Sequence, residues 1–256
     1  MGRTKSYYDL RDALALPGCP ICRVSADAVD RYLDGLIYEK VNDRGLRATL
    51  REARGFCERH AWGLVRHGAA LGTAIMMRDV IHTLRLALTG ARFRTLPAIS
   101  WARMQGALDA RQSRASTLGT ITALTPQALC PVCAHEREVE DHLITSFLEN
   151  LQGEGGLLDV YCNSEGFCLP HVRHVLACVA DESTYELLVE AQESIWATLE
   201  GQLDKLIRKS DYRYRHEMLG EEGSSWLRAI ESIAGQRFGC GPRAKGQEGS
   251  GIKSST

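Results

Sequence analysis

The chain has 256 residues, of which 44% are apolar and 25% charged, and its net charge is −1. Such a chain can bury a real core and forms one large domain or two of ordinary size. A net charge so close to zero gives no general attraction for nucleic acid or for an anionic membrane. No apolar run approaches the roughly 18 residues of a membrane span. The N-terminus also lacks the apolar centre of a signal peptide, so we expect a cytoplasmic protein without membrane contact.

Apolar residues recur at helical spacing along most of the chain, and no alternating strand pattern of any length occurs. The fold class is therefore predicted to be all-α. The predicted helices of the first half are a short turn ended by Pro17-Gly18, a helix over 23–40, a helix capped by Asn42-Asp43 and ended by Gly55, and a helix from Cys57 that bends near Gly68 or Gly72 and reaches Leu88.

The second half follows the same plan. Its predicted helices are one after Cys133, a short one before Gly166, one after His171, a long one capped by Asp181 or Ser183, and a last one with Trp226 and Ile233. The predicted divisions are a first metal-binding repeat over 1–90, a connector with one helix (102–118) over 91–128, a second metal-binding repeat over 129–210, a helical extension over 211–238 and a disordered tail over 239–256.

Six cysteines and two histidines form a pattern that occurs twice. Adding 111 to the numbers of Cys19, Cys22, Cys57 and His60 gives the second set without a gap. Without a signal peptide, cysteines in paired short spacings are typical of metal binding, and a disulfide framework would leave the two histidines unexplained. The predicted metal ligands are Cys19, Cys22, Cys57, His60, Cys130, Cys133, Cys168 and His171.

Each half is predicted to hold one metal ion with its own four ligands, so that the fold consists of two pseudo-repeated helical modules. Structural zinc sites commonly use three thiolates and one imidazole in a tetrahedral arrangement. Ligands three positions apart at a helix start share one face. The sequence therefore predicts two Zn²⁺ sites. An iron–sulfur cluster stays open as an alternative, whereas a thioredoxin-type dithiol needs a βαβ setting that the pattern lacks.

Four protein ligands leave no open coordination position, which disfavours a catalytic metal and an enzyme. Glu58 lies between two ligands of the first set, but Leu169 holds the matching position in the second. No phosphate-binding loop, nucleophile elbow or His-Glu-x-x-His motif occurs. Packing or a solvated face is the favoured interpretation of the remaining candidate side chains, whose roles are left open: Cys162, Cys178, Cys240, His67, His135 and His142.

Several stretches together carry a family resemblance. They are the two Cys-Pro-x-Cys pairs, the two Gly-Phe-Cys-x-x-His segments, Leu-Ile-Tyr-Glu-Lys-Val-Asn-Asp at 36–43, and Leu-Gly-Thr-Ala-Ile-Met-Met-Arg-Asp at 71–79. As a set they resemble a bacterial family of unknown function over roughly residues 7–210. The resemblance implies a bacterial, intracellular protein and supplies no activity, substrate or partner.

We expect a zinc-stabilised helical protein that binds or scaffolds a protein partner. One alternative is an iron–sulfur or thiol-based redox or sensor protein. A second, less favoured, is a nucleic-acid-binding protein that uses the connector, since seven Arg occur from Arg78 to Arg114, both included. A solvated helix face is the preferred interpretation of those charges. The oligomeric state is not determined by the sequence.

Overall fold

The computed structural model describes residues 3–89, 119–214 and 216–236, and within them every regular element is a helix. The predicted all-α class is thus confirmed. The predicted connector helix over 102–118, the tail over 239–256 and Cys240 lie outside the described residues. The helices are α1 (Lys5–Leu14), α2 (Pro20–Tyr38), α3 (Arg44–Glu52), α4 (Glu58–Gly63), α5 (Ala70–Thr89), α6 (Pro131–Glu149), α7 (Leu158–Cys162), α8 (Leu169–Cys178), α9 (Glu182–Lys209) and α10 (Ser225–Ala234).

Helix starts follow local capping chemistry. Asp43 caps α3 by accepting a hydrogen bond from the Leu46 N–H at 2.7 Å, and Asp181 caps α9 through the Thr184 N–H at 2.9 Å. Helices α2 and α6 both begin at a proline, the first helical position, where a missing N–H costs nothing. Their bounds lie 111 positions apart at both ends. Both helices therefore begin between the two cysteines of their pair. Helix α2 begins at Pro20, three residues before the start at 23 that the sequence predicts.

The predicted third helix of the first half is two helices. Helix α4 ends at Gly63 and α5 begins at Ala70, with Gly68 in the left-handed region at φ +76°. Gly72 lies inside α5 instead of breaking it. A Cβ at that position would lie 2.5 Å from the carbonyl oxygen of Ile37, so only glycine allows α5 to approach the end of α2.

The chain divides into two compact units, which we call unit one (1–27 and 140–256) and unit two (28–139). Their boundaries fall inside α2 and α6 and do not coincide with the two sequence halves. Tertiary packing, not chain order, defines the units, because each takes segments from both halves. No helix in the described ranges is long and apolar enough to cross a membrane.

Unit one has an aromatic core. Phe147 of α6, Tyr161 of α7 and Phe167 of the following loop are almost fully buried, with ring centroids 4.7–5.4 Å apart. Helix α9 packs against α7 and α10, α10 packs against α8, and α1 packs against α7. The Tyr7 hydroxyl donates to the Gly155 carbonyl at 2.8 Å and so fixes α1 to the turn before α7.

Unit two is built on α3 packed against α5. Leu50 of α3 and Met76 and Val80 of α5 form its buried apolar centre. Arg47 on α3 forms an ion pair with Asp79 of α5, at 2.9 Å. The two helices are thereby held side by side, and the loop that follows α3 leads directly into the Cys57 segment.

Candidate metal centres

The eight predicted ligands come together in two groups of four, and within each group the candidate ligand atoms all lie within 4.8 Å of one another. The prediction that each sequence half supplies all four ligands of its own site is wrong. Each group combines the Cys-x-x-Cys pair of one half with the Cys-x-x-His pair of the other. The first cluster, in unit one, is Cys19, Cys22, Cys168 and His171; the second cluster, in unit two, is Cys57, His60, Cys130 and Cys133.

All four ligand pairs occupy the same local position, the first turn of a helix. In each pair the leading cysteine precedes the first helical residue, and its carbonyl accepts the first helical hydrogen bond, at 2.8–3.2 Å. The second ligand is the third helical residue, so the two side chains share one face. Each cluster therefore lies where two helix N-termini meet, and the positive ends of both helix dipoles favour thiolates. The leading cysteines are Cys19, Cys57, Cys130 and Cys168.

The first cluster is compact and largely buried. The sulfurs of Cys22 and Cys168 are 3.6 Å apart. The Nδ1 atom of His171 lies 3.1 Å from the Cys168 sulfur and 3.4 Å from those of Cys19 and Cys22. Its other ring nitrogen, Nε2, lies 3.2 Å from a carboxylate oxygen of Glu140 on α6. A histidine that ligates through one nitrogen while a carboxylate holds the other is the usual arrangement in metal sites.

The electrostatics of the first cluster favour negative charge on sulfur. Hydrogen bonds from the thiols of Cys19 and Cys22 hold the pKa of Cys168 far below its usual range. Burial raises the pKa of Cys19 well above its usual value. Burial alone would lower the pKa of His171, but hydrogen bonds with the cysteine sulfurs and Glu140 outweigh it and raise that pKa to about 12. The three sulfurs thus favour a positive charge among them, which the proton on His171 supplies and which a bound metal cation would supply in place of that proton.

The second cluster has the same geometry with a different setting for its histidine. The sulfurs of Cys57 and Cys133 are 3.5 Å apart, and His60 Nδ1 lies 3.3 Å from each of them and 3.8 Å from the Cys130 sulfur. Glu136 Oε2 lies 3.6 Å from His60 Nε2, and the same carboxylate forms an ion pair with Arg59.

Burial dominates the electrostatics of the second cluster. It lowers the pKa of His60 to about 4, with a smaller contribution from the charge of Arg59. It also raises the pKa of Cys133 to about 12, assisted by a hydrogen bond with Cys57. The imidazole of His60 is therefore neutral at physiological pH, which is the form that ligates a metal.

Backbone contacts fix the loops that carry the ligands of the first cluster. Gly166 has φ +69° and donates its N–H to the Ser164 hydroxyl at 2.9 Å. Gln192 of α9 accepts from the Phe167 N–H at 3.1 Å, one residue before Cys168. The carboxylate of Glu165 accepts from the Gly18 N–H at 2.7 Å and so joins the loop before Cys168 to the loop before Cys19.

In the second cluster a single backbone contact joins the two loops. The Gln127 N–H donates to the Glu52 carbonyl at 2.8 Å. This bond connects the approach to Cys130 with the end of α3, five residues before Cys57. Each pairing of halves is thus accompanied by a hydrogen bond between the two ligand-bearing loops.

Sequence reasoning missed the carboxylates of Glu136 and Glu140 beside the histidines. Their signal is weak: they follow Cys133 by three and seven positions on a predicted helix, where acidic residues are ordinarily solvated. Among the described residues no third group of metal-type ligands forms. The remaining candidates lie elsewhere: His135 stacks on Tyr32 at 4.2 Å, the His67 carbonyl accepts from Tyr38, Cys162 and Cys178 are exposed thiols, and Glu58 and His142 are exposed.

Comparison with known proteins gives relatives but no activity. No solved structure matches the chain. A similar protein is the "Uncharacterized 23.9 kDa protein in xynA 3'region" of Caldicellulosiruptor sp. (strain Rt8B.4). It is 25% identical over 218 residues, which cover 85% of this chain and 95% of that protein. A family model described as "Family of unknown function (DUF6062)" matches residues 8–238, and the chain therefore belongs to this family of unknown function.

Proposed function

We propose that the protein binds two zinc ions, one in each cluster, and that both ions stabilise the helical fold. The observation that carries the proposal is the spacing of the ligand atoms. Tetrahedral zinc with Zn–S near 2.3 Å and Zn–N near 2.05 Å requires sulfur–sulfur edges of about 3.8 Å and sulfur–nitrogen edges of about 3.6 Å. The Cys22–Cys168 and Cys57–Cys133 sulfur–sulfur distances are 3.6 and 3.5 Å, and the six sulfur–nitrogen distances are 3.1–3.8 Å.

A structural role follows from the closed ligand set. Three thiolates and one imidazole fill a tetrahedral ion, so no position remains for water or substrate. Zinc binding contributes ~10–16 kcal/mol of folding free energy in small zinc domains. That is comparable to the ~5–15 kcal/mol by which a whole domain is stable. Loss of one ion is therefore expected to loosen the unit that holds it.

The same distances disfavour an iron–sulfur cluster. In such a cluster the protein ligands bind different irons, which bridging sulfides hold apart. Ligand atoms on different irons therefore lie farther apart than the four atoms around a single ion. Both groups have all their ligand atoms within 4.8 Å, which suits one ion. Redox or sensor chemistry based on a cluster has no separate observation in its favour.

A binding or scaffold role is supported by a surface of unit one. An apolar groove of about 730 Å³ runs along α8, α9 and α10. Leu176, Trp196 and Leu203 line it, and the exposed side chains of Val189 and Ile233 lie at its walls. Exposed apolar surface of this kind is a common feature of sites that bind another protein, and a groove of this volume could also hold an apolar side chain of the partner.

Metal analysis together with an absorption spectrum tests the zinc proposal. The expected result is colourless protein with two zinc ions per chain. Iron in the metal analysis together with visible absorption would show that the protein binds an iron–sulfur cluster and not zinc. Protein that carries no metal and takes up none when zinc is added would overturn the proposal altogether.

The binding role is tested by photo-cross-linking in the native cell. A photoreactive amino acid at Val189 is expected to give a discrete cross-linked product whose partner mass spectrometry identifies. The matched control places the same group at Lys205, an exposed position of α9 outside the groove. Absence of a product at Val189, or the same products at both positions, would contradict a docking role for the groove.

A further inference from the structure

The last described helix ends directly against the first cluster. Helix α10 stops at Gly235, whose N–H donates to the Glu231 carbonyl at 2.9 Å. Gly235 has φ 81° and ψ 173°, a conformation that essentially only glycine adopts. A Cβ at this position would lie 3.3 Å from the Cys22 sulfur and 3.6 Å from the Cys168 sulfur. A side chain at this position would thus meet two of the four ligand atoms, so the chain at Gly235 lies beside the cluster.

A second glycine completes the contact on the other side. Gly18, which directly precedes Cys19, has φ +88°. A Cβ there would lie 2.7 Å from the amide nitrogen of the Gln236 side chain. Glycine at both positions therefore permits the chain after α10 to lie against the loop that carries Cys19 and Cys22. Neither glycine is required by the metal ligand pattern itself.

Helix α10 is held in this place by specific contacts. It packs against α8 and α9, and the indole N–H of Trp196 on α9 donates to the Ser232 hydroxyl at 2.8 Å. Ser225, its first residue, is fully buried. The position of Gly235 over the sulfurs thus depends on docking of the whole helix.

Exposure of the ligands shows what this contact does. Cys19, Cys168 and His171 are buried, and Cys22 is the one ligand of the first cluster that keeps partial solvent contact. Gly235 lies against that same sulfur. Displacement of the end of α10 would therefore expose more of the Cys22 and Cys168 sulfurs to a chelator or a competing thiol.

We infer that Gly235 and Gln236 form a cover over the first cluster, and that undocking of α10 controls release of its metal ion. This inference rests on the proposed zinc binding. It predicts that the two ions of one chain leave at different rates, and that the rate at the first cluster follows the stability of α10. The protein would thereby couple a surface helix, one wall of the apolar groove, to metal retention.

Gly235→Ala tests the cover. The added methyl group disfavours the conformation at φ 81° and would lie 3.3 Å from the Cys22 sulfur, so we expect the end of α10 to shift away from the cluster. With excess chelator, one of the two zinc ions is expected to leave about tenfold faster or more, the scale at which groups around metal ligands act. Alkylation followed by mass spectrometry is expected to modify Cys22 and Cys168 before Cys57 and Cys133.

Gly153→Ala is the matched control, because Gly153 has φ +92° but nothing lies within 4 Å of a Cβ there. It should cause similar backbone strain without faster release. Ser232→Ala, which removes the Trp196 hydrogen bond and leaves the cluster untouched, gives a second test should Gly235→Ala not fold. It too should speed release of one ion. Unchanged release, or equal acceleration of both ions, would overturn the cover, whereas wild-type protein without zinc would overturn the proposed function instead.

Discussion

The carboxylate of Glu140 is the side chain outside the ligand set that bears most directly on the first cluster. It accepts a hydrogen bond from Nε2 of His171 at 3.2 Å, while Nδ1 of the same ring faces the three sulfurs. This contact fixes the ring orientation and makes Nδ1 more basic, which strengthens its bond to a cation. Glu140→Gln keeps the shape and removes the charge. We expect about 10- to 100-fold weaker zinc binding at one of the two sites.

Competition with a graded chelator measures this loss, since the second site supplies an internal reference. Glu149→Gln, on the exposed last residue of the same helix, is the matched control and should bind zinc as the wild type does. Equal affinity of Glu140→Gln and Glu149→Gln for both ions would mean that Glu140 has no positioning role.

The ligand residues could be predicted from the sequence, and their supporting carboxylates could not. A thiol pair and a thiol–imidazole pair, each repeated at fixed spacing, are typical of metal binding and of little else. Glu136 and Glu140, in contrast, belong to an acidic helix face that would be unremarkable without the histidines beside it. Their role becomes visible only when tertiary packing brings His60 and His171 within 3.6 and 3.2 Å.

The helix starts explain how the two ligands of each pair come to face the same way. The leading cysteine and the third helical residue are one turn apart, so forming the helix orients both ligands. The same geometry concentrates positive backbone charge and thiolate charge at each pair. Bound metal and helix formation therefore stabilise each other.

Removal of metal should melt these helix starts. Dialysis against a strong chelator under reducing conditions is expected to lower the helical circular-dichroism signal and the melting temperature, and added zinc should restore both. Mg²⁺ is the matched control ion, since it prefers oxygen ligands and should restore neither. An unchanged melting temperature in fully metal-depleted protein would contradict a structural role.

Gln192 links α9 to the loop that carries Cys168. Its side-chain oxygen accepts from the Phe167 N–H and from the Tyr161 hydroxyl, and the residue is 3% exposed. Gln192→Leu would remove the acceptor that these two buried donors share. An unsatisfied buried donor costs ~1–3 kcal/mol, so we expect a loss of at least this size in the free energy of unfolding, measured with urea. Gln152→Leu, at an exposed position, should change it by less than about 0.5 kcal/mol.

Most helices could be predicted because their apolar spacing and caps are local signals, as the Asp43 and Asp181 caps illustrate. The break between α4 and α5 is harder to place because two glycines, Gly68 and Gly72, offer the same signal. Only Gly68 adopts a positive φ, whereas Gly72 serves a close approach to Ile37. A single sequence does not distinguish a glycine needed for conformation from one needed for contact.

The exchange of ligand pairs between the two halves could not be read from spacing. Both pairings use three cysteines and one histidine, and every pair has the same internal geometry. Loop-closure entropy also changes only slowly with loop length, so proximity in sequence gives a weak preference. The observed pairing of Cys-x-x-Cys with Cys-x-x-His segments is accompanied by hydrogen bonds between their loops, such as Glu165 with Gly18 and Gln127 with Glu52. These contacts involve residues that carry no recognisable pattern.

Cys168→Ser separates the two pairings. Whether the ligand pairs combine between the halves or within each half, one ion should be lost and the zinc content halved. With the observed grouping, loss of Cys168 frees Cys19 and Cys22, so these two thiols should become reactive to alkylation while Cys57, Cys130 and Cys133 stay protected. Pairing within each half would instead expose Cys130 and Cys133.

Mass spectrometry of the alkylated peptides distinguishes these outcomes within one sample. Cys178→Ser is the matched control, because Cys178 is an exposed thiol outside both clusters and its loss should change neither zinc content nor protection. Unchanged zinc in Cys168→Ser would contradict the first site itself. Reactive Cys130 and Cys133 beside protected Cys19 and Cys22 would contradict the exchange of ligand pairs while leaving two zinc sites in place. The two errors are therefore distinguishable, because zinc content reports whether a site exists and the alkylation pattern reports which halves build it.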